Sequence, residues 1–338
     1  MTSIVPALAR RAAVLSGAIV LLVILVVVSL MVGARTITAS DVLSILTGIG
    51  PPPDSIDSVV LRTLRLPRTI LGVVVGAALG AAGVLIQTLT RNPLADPGIL
   101  GINAGSSLLV VLSITVFGWT GALATAGAGM LGAGAALIVV IALSWRGGTS
   151  PLRLVLAGTA FAAALSGVTS AIVIFDAGTL DQVRFWSLGS LAGRDTGLIW
   201  PAIGLVGIAL LAAIALAIPL NTLSLGDDMA RSLGTSVARV RLASLVTIAL
   251  LCGTATAVAG PIGFVGLTVP FIARAIGGAD TRWMLGLSIV LGALLLLGAD
   301  VVGRLAAGTG ELEVGIVVSV VGAPIFIALA RRTRALSP

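Results

Sequence analysis

The sequence contains no histidine, no lysine and no tyrosine, and its one cysteine is Cys252. Without lysine, the chain cannot form the GxxxxGK[ST] loop by which many ATPases bind nucleotide phosphates. Without histidine, and with a single thiol, it cannot assemble a typical zinc site, a thiol–imidazole nucleophile or an internal disulfide. Cys252 lies in an apolar run, where a small buried side chain is expected. The sequence therefore predicts a non-catalytic chain that binds no cofactor or metal of its own.

Charge is also scarce. Charged residues are 10% of the chain, hydrophobic residues are 58%, and the mean hydropathy is +1.19. A soluble domain is about 25% charged, so these values indicate a protein embedded in a lipid bilayer. All 20 basic residues are arginine, dispersed among apolar runs rather than grouped as in a nucleic-acid-binding surface. Arg10 and Arg11 precede a first run that is longer than the hydrophobic region of a signal peptide, and we interpret it as a membrane span.

Ten apolar segments remain when the chain is divided at its charge, proline and glycine clusters. A span needs about 20 residues, so the predicted fold is an all-α polytopic membrane protein with ten transmembrane helices, one domain over residues 1–338. Two five-helix halves would then have opposite orientations, as inverted repeats do. The segments lie near residues 12–33, 70–88, 99–117, 121–143, 152–174, 198–218, 242–260, 262–276 (short, with Pro270), 283–306 and 314–330.

Arginine placement predicts the orientation, because cytoplasmic loops of membrane proteins are enriched in basic residues. With the N-terminus inside, 13 arginines fall on the cytoplasmic side and 7 on the outer side, so both termini are predicted to be cytoplasmic. Three outer arginines, Arg62, Arg65 and Arg68, recur every three residues before the second span, where this rule disfavours them. Interfacial snorkelling is one explanation, and an acidic partner attracted by their charge is another.

Three connections, 34–69, 175–197 and 219–241, are too long to be simple turns, and two of them are predicted to contain short helices. In 175–197, Trp186 is expected to anchor the chain at the membrane interface. In the external stretch 34–69, Ser40 suits a helix N-cap and Gly48 a helix end, which predicts a short interfacial helix. In the internal stretch 219–241, Asp227 and Asp228 suit the first turn of a helix and Gly234 its end. A second short helix is expected to begin near Thr235 or Ser236.

A stripe of small residues marks the second span. It indicates close helix packing, with pore lining as the alternative. Near the outer end of the ninth span, Asp300 and Arg304 share one helical face. They either neutralise each other or face a water-filled path or an external partner. The stripe and its continuation comprise Gly72, Gly76, Gly80, Gly83 and Gln87.

With these features in place, the chain resembles the permease subunits of bacterial ABC importers for ferric siderophores, haem and cobalamin. The matching stretches are spread in order over nearly the whole chain. They are "LRLPRTILGVVVGAALGAAGVLIQTLTRNPLADPGILGINAGSS" (64–107), "FWSLGSLAG" (185–193), "LNTLSLGDDMARSLG" (220–234), "GPIGFVGLTVPFIARAIGGADTRWML" (260–285), "LGADVVGRL" (297–305) and "EVGIVVSVVGAPIFIALARR" (313–332).

The resemblance implies a multi-pass subunit of the bacterial cytoplasmic membrane, paired with an identical or homologous second permease. Two cytoplasmic ATPase subunits and an extracytoplasmic substrate-binding protein would complete the importer. The resemblance also implies that 219–241 is the coupling segment and that Arg65, Arg68 and Arg304 dock the binding protein. "RNPLADPGILG" (91–101) would be a rigid cytoplasmic bend. The coupling residues it implies are Leu225, Gly226, Asp227, Asp228, Ala230, Leu233 and Gly234.

Two positions depart from the family pattern, because Phe271 stands where histidine is frequent and Glu313 where proline is usual. The expected cargo is a ferric siderophore, with haem and cobalamin as alternatives. An ion-coupled secondary transporter is a more remote alternative, for which Asp300 is the one clear coupling carboxylate.

Overall fold

A computed structural model describes residues 4–33, 35–49, 52, 54–145, 151–175, 186–307 and 312–334. All regular structure in these ranges is helical. A π-helical turn at Val60–Arg65 joins α3 to α4, and short 3-10 helices at Pro97–Leu100 and Thr196–Leu198 precede α5 and α8. The α-helices are α1 (Ile4–Met31), α2 (Ala39–Thr47), α3 (Ile56–Val59), α4 (Leu66–Thr90), α5 (Ile102–Thr115), α6 (Ala122–Trp145), α7 (Pro151–Phe175), α8 (Ile199–Ser224), α9 (Asp227–Ser232), α10 (Val237–Ala259), α11 (Val265–Gly277), α12 (Thr281–Ala306) and α13 (Val314–Arg334).

Seven helical stretches within the described residues are long and apolar enough to cross a membrane, and three further apolar helices are shorter. Each of the ten lies on one of the predicted apolar segments. The chain is therefore an all-α, multi-pass membrane protein, as its composition predicts. The shorter three are Ile102–Thr115, Val265–Gly277 and Val314–Ile327.

Helix α4 is the centre of the bundle and packs against α8, α10, α11 and α12. Three glycines of its stripe lie directly on neighbouring backbones, so a Cβ added there would meet main-chain atoms, whereas at Gly72 it would meet leucine side chains. Gly76 faces Gly292 and Gly80 faces Ser288, both on α12, while Gly83 faces Gly266 on α11. Helix backbones approach this closely only where small residues line the contact. These contacts are helix packing within one chain.

Gln87, one turn further along the same face, donates hydrogen bonds to backbone carbonyls of α11, one of which has no donor within its own helix. Pro270 lies inside α11 and has no N–H, so the carbonyl four residues earlier, that of Gly266, loses its helical donor. The buried amide of Gln87 donates to the carbonyls of Leu267 (3.1 Å) and Gly266 (3.4 Å). The side chain therefore supplies a hydrogen bond that the helix itself cannot make.

Replacing Gln87 with leucine is expected to destabilise the purified protein by about 1–3 kcal/mol, the usual cost of an unsatisfied buried polar group. The loss should be smaller in a Pro270→Ala background, because alanine at that position restores the N–H that Gly266 lacks. A double-mutant cycle on thermal unfolding in detergent measures this difference. Thr90→Val is the matched control, since the buried Thr90 hydroxyl donates to the Ile86 carbonyl of its own helix. Equal losses in both backgrounds would contradict the assignment.

The two structured connections differ from their predicted bounds. The N-cap of α2 is Thr38 rather than Ser40, because the Thr38 hydroxyl accepts the N–H of Asp41; Gly48 ends the helix in the left-handed conformation as predicted. Residues from Ile56 onward already belong to the long α3–α4 helix. In 219–241, the first residues complete α8, and the expected second short helix is the first turn of α10. The non-helical segments are thus shorter than composition suggests, since helices extend past the apolar core.

Candidate functional site

Helix α9 forms a short step between α8 and α10 at one end of the bundle. Gly226 (φ 114°) and Gly234 (φ 80°) take positive backbone angles on either side of it, which glycine adopts without a steric penalty. Ala230 is fully buried and faces the bundle. The local sequence stabilises this helix, because two aspartates lie in its first turn and Arg231 lies in its last, where their charges complement the helix dipole.

Asp227 lies on the inner side of α9 and binds two arginines from other helices. Arg241, near the start of α10, places one guanidinium nitrogen 2.8 Å and 2.9 Å from the two carboxylate oxygens. Arg91, which follows α4, donates to Asp227 Oδ1 at 2.7 Å and to the carbonyl of Leu223 at 2.8 Å. Charge-assisted bonds of this length are strong, so α9 is anchored to the bundle through one carboxylate.

Three exposed apolar residues, which we call the exposed ridge, lie on α9 and at its two ends. They are Leu225 before the helix, Met229 within it and Leu233 directly after it. Their side chains are 65%, 53% and 60% exposed. Asp228 is exposed beside them and pairs within α9, with Arg231 at 2.8 Å. Adjacent exposed apolar side chains on a short helix are typical of a protein contact surface.

The predicted coupling residues therefore separate into two groups. Leu225, Asp228 and Leu233 face outward, whereas Asp227 and Ala230 face the bundle, and Gly226 and Gly234 shape the ends. Met229 belongs to the outward ridge, and the sequence analysis missed it. The signal was present, because Met229 is a third large apolar residue in a short polar segment that begins and ends with Leu225 and Leu233.

The base of α9 is also tied to α12. Asn221, in the last turn of α8, donates to Asp280 at 2.8 Å and accepts the N–H of Thr281 at 2.8 Å. Asp280 is the N-cap of α12 and also accepts the N–H of Arg282. Burial raises the pKa of Asp280, but these hydrogen bonds together with Arg282 and Arg11 outweigh it and hold the pKa below its usual value.

Two arginines cap α1 at the opposite end of the bundle. The last carbonyls of a helix have no partner within it, and here Arg65 donates to the carbonyls of Leu30 and Met31, each at 2.8 Å. Arg304 donates to the carbonyls of Ser29 (2.9 Å) and Val32 (2.8 Å) and to the Ser29 hydroxyl (2.7 Å). The C-terminal turn of α1 is therefore held by guanidinium groups from the π turn and from α12.

Asp300 lies between Arg68 and Arg304 and is completely buried. Its carboxylate is 2.8 Å from Arg68 and 3.0 Å from Arg304. A buried carboxylate is tolerated when it is paired and hydrogen-bonded. We call Ser29, Arg65, Arg68, Asp300 and Arg304 the α1 clamp, since together they join α1, α4 and α12.

The α1 clamp contains all three of the arginines that are predicted to dock the binding protein. Arg65, Arg68 and Arg304 are buried or nearly buried and are engaged within the chain. The expected self-neutralising pair of Asp300 and Arg304 is present, with Arg68 as an additional partner. Docking by these three arginines stays a prediction. A test of it has to distinguish lost docking from a broken clamp.

A model of the FecCD transport family matches residues 21–332. The chain belongs to the FecCD transport family. The ferric enterobactin transport system permease protein FepD of Escherichia coli K12 is 46% identical over 325 residues, which cover 95% of this chain and 96% of the relative. The Fe(3+)-citrate import system permease protein YfmD of Bacillus subtilis 168 is 40% identical over 293 residues, or 83% of this chain and 84% of the relative.

A solved structure supports the same relationship in three dimensions. It is described as an inward-facing conformation of a metal-chelate type ABC transporter. This FecCD chain matches it with a TM-score of 0.84 at 28% identity, over 95% of this chain and 99% of the other. The helical arrangement that positions α9 and the α1 clamp is therefore one that a metal-chelate transporter uses.

The two residues of this FecCD chain that depart from the family pattern, Phe271 and Glu313, make ordinary contacts within the chain. Phe271 is buried on α11 and packs edge-on against Phe326 of α13, with ring centroids 6.1 Å apart. Glu313 lines an open cavity of about 670 Å³, at the α1-clamp end, together with Trp186, Ser190 and Arg194. Burial lowers the pKa of Arg194, and the negative charge of Glu313 partly opposes this shift. Glu313 thus balances charge at the rim of that cavity.

Proposed function

We propose that the chain is the membrane-spanning translocation subunit of an ATP-driven importer of ferric siderophores. The observation that carries this proposal is near full-length identity of 46% to a ferric enterobactin permease. The second relative is named for another iron(III) chelate and the solved neighbour for a metal chelate. The shared element is therefore a chelated metal ion as cargo, and the cargo is substrate rather than a resident cofactor.

In this proposal the chain crosses the bacterial cytoplasmic membrane ten times as two inverted halves, with both termini in the cytoplasm. It pairs with a second permease, either a second copy or a homologue, and it binds no cofactor of its own. A binding protein delivers cargo at the α1-clamp end. Two ATPase subunits bind at the α9 end, which supplies a surface suited to them. The exposed ridge of Leu225, Met229 and Leu233 gives apolar contact area, and Asp228 adds a charge at its rim.

The geometry argues against the ion-coupled alternative. A secondary transporter needs a carboxylate that gains and loses its ion or proton during transport. Asp300 is completely buried and is held between Arg68 at 2.8 Å and Arg304 at 3.0 Å, so both of its carboxylate oxygens are paired within the chain. A carboxylate whose two oxygens are already engaged in this way is poorly placed to bind and release a coupling ion.

Uptake by proteoliposomes containing the permease with its ATPase and binding protein tests the function directly. We expect ATP-dependent accumulation of ferric enterobactin, unchanged by a proton ionophore, with haem and cyanocobalamin taken up at least about tenfold less efficiently. Omission of the binding protein serves as the control. ATP-independent, ionophore-sensitive uptake would overturn the assignment to an ABC importer. Preferential uptake of haem or cyanocobalamin would overturn the siderophore assignment alone.

A further inference from the structure

Arg91 holds an unusual position at the end of the central helix. It adopts the left-handed conformation (φ 53°) directly after α4, where its N–H and that of Asn92 bond the carbonyls of Thr88 (3.3 Å) and Gln87 (3.1 Å). Glycine is the usual residue at such a helix end, because other residues pay a steric cost there. Since the backbone gains nothing from arginine here, the side chain has to account for its presence.

The Arg91 side chain connects α4 to the two elements that carry the exposed ridge. One guanidinium nitrogen donates both to the Leu223 carbonyl in the last turn of α8 and to Asp227 at the start of α9. Arg241 of α10 approaches the same carboxylate from the other side at 2.8 Å. The position of α9 is thus set by α4 and α10 jointly, through one carboxylate.

We propose that Arg91 is the positioning residue that couples α9 to α4. When a cytoplasmic partner displaces α9, the Arg91–Asp227 contact carries that displacement to the helix that packs on α8, α10, α11 and α12. Arg91 does not touch cargo or nucleotide and acts through Asp227. This inference rests on the proposed function, because it deepens the role of the α9 end.

A second ion pair on α9 provides an internal comparison. Asp228 and Arg231 are as close, at 2.8 Å, but their side chains are 100% and 60% exposed and both belong to α9. That pair cannot transmit motion to another helix. The two aspartates of "GDDMARS" are neighbours in sequence, yet Asp227 joins α9 to α4 and α10 whereas Asp228 pairs within α9.

The first test measures how firmly α9 is held, and it uses the permease alone. Amide hydrogen exchange over residues 225–236 reports local opening of this segment. Arg91→Asn keeps a residue that tolerates the left-handed conformation but is too short to reach Asp227. It should raise exchange about tenfold, the effect of losing a charged hydrogen bond. Arg91→Lys should restore most of the protection, and Arg231→Asn should leave it unchanged. Unchanged exchange in Arg91→Asn overturns the proposal.

The second test measures coupling in the reconstituted importer. Arg91→Asn should lower the amount of cargo imported per ATP hydrolysed about tenfold while ATPase assembly persists. Asp227→Asn should lower the ratio at least as far, because it weakens the Arg241 contact as well. Adding Arg91→Asn to Asp227→Asn should cause little further loss, because the Arg91–Asp227 contact is already broken. Arg239→Asn, an exposed arginine of α10, is the matched control.

The outcomes of the two tests separate this proposal from the proposed function. Raised exchange with an unchanged import ratio would overturn the coupling role of Arg91 and leave the importer assignment intact. If the chain proves not to be an ATP-driven importer, the exchange measurement still decides whether Arg91 positions α9. Should Arg91→Asn fail to fold, Asp227→Asn breaks the same contact together with that of Arg241, and Arg241→Asn, which removes only the second contact, separates the two effects.

Discussion

Changing Leu225, Met229 or Leu233 to glutamate is expected to abolish ATP-driven uptake while the permease stays folded. The three side chains form the exposed ridge of α9, and they contribute little to the core because more than half of each is exposed. A large apolar anchor at the centre of an interface typically contributes about 2 kcal/mol or more. At 1.4 kcal/mol for each factor of ten, one substitution weakens ATPase binding about 30-fold.

Binding of the purified ATPase to the permease in detergent measures this effect directly, and uptake in proteoliposomes measures its consequence. Leu43→Glu is the matched control, since Leu43 is 65% exposed on α2 at the other end of the bundle. Ala230→Glu serves as a contrast, because this fully buried position should cause misfolding instead of selective uncoupling. Wild-type ATPase affinity in all three ridge variants would show that the proposed ATPase partner binds elsewhere.

Replacing Asp300 with asparagine is expected to have the largest effect on stability. The change keeps the side-chain shape but leaves Arg68 and Arg304 close together with no counter-charge in a buried site. Breaking a buried ion pair by removing one partner costs about 3–5 kcal/mol. Arg304 also holds the C-terminal turn of α1, so the loss should loosen the packing of α1 on α12. Thermal unfolding followed by tryptophan fluorescence in detergent measures this change.

The chain supplies its own control for that experiment. Arg35 and Asp57 form an ion pair of the same chemistry at the same end, at 2.8 Å, but their side chains are 60% and 32% exposed. Exposed pairs contribute about 0–1 kcal/mol, so Asp57→Asn should shift the unfolding temperature little. Similar shifts for the two variants would refute the role of the α1 clamp.

The internal contacts of the α1 clamp also determine how binding-protein docking has to be tested. Arg65, Arg68 and Arg304 remain the predicted docking residues, but reversing their charge breaks contacts inside the subunit. A fall in docking affinity is informative only in variants whose unfolding temperature matches wild type. Without that check, loss of docking and loss of fold give the same result.

The sequence predicted some of the site because the signals are local. Gly226, the acidic pair Asp227–Asp228 and Gly234 mark the ends of α9 through backbone conformation and helix-end electrostatics, which need no distant contacts. The glycine spacing of α4 indicated close packing for the same reason. The predicted bounds of α8 and α10 were too short, because both helices continue past their apolar cores into polar residues.

The ion pairs that shape the site could not be predicted from the sequence, because their partners lie far apart in the chain. Arg68 and Asp300 are 232 residues apart, and Arg91 and Asp227 are 136 apart. The spacing of Arg62, Arg65 and Arg68 allowed interfacial snorkelling or an external partner, and the fold shows contacts that the spacing could not indicate. Arg62 donates to the Ile45 carbonyl of α2, Arg65 to the last turn of α1, and Arg68 pairs with Asp300. Likewise, adjacent aspartates in α9 appeared equivalent until the fold turned one toward Arg91 and Arg241 and left the other exposed.

The sequence by itself determined that the chain lies in a lipid bilayer, that its fold is all-helical and which family it belongs to. Composition, the length of the apolar runs and the order of the motifs are all properties of the linear chain. Only the tertiary structure decided which charges are used internally and which face of α9 is available. The physical reason is that a guanidinium group or a carboxylate is defined by what surrounds it, and long-range packing alone sets those surroundings.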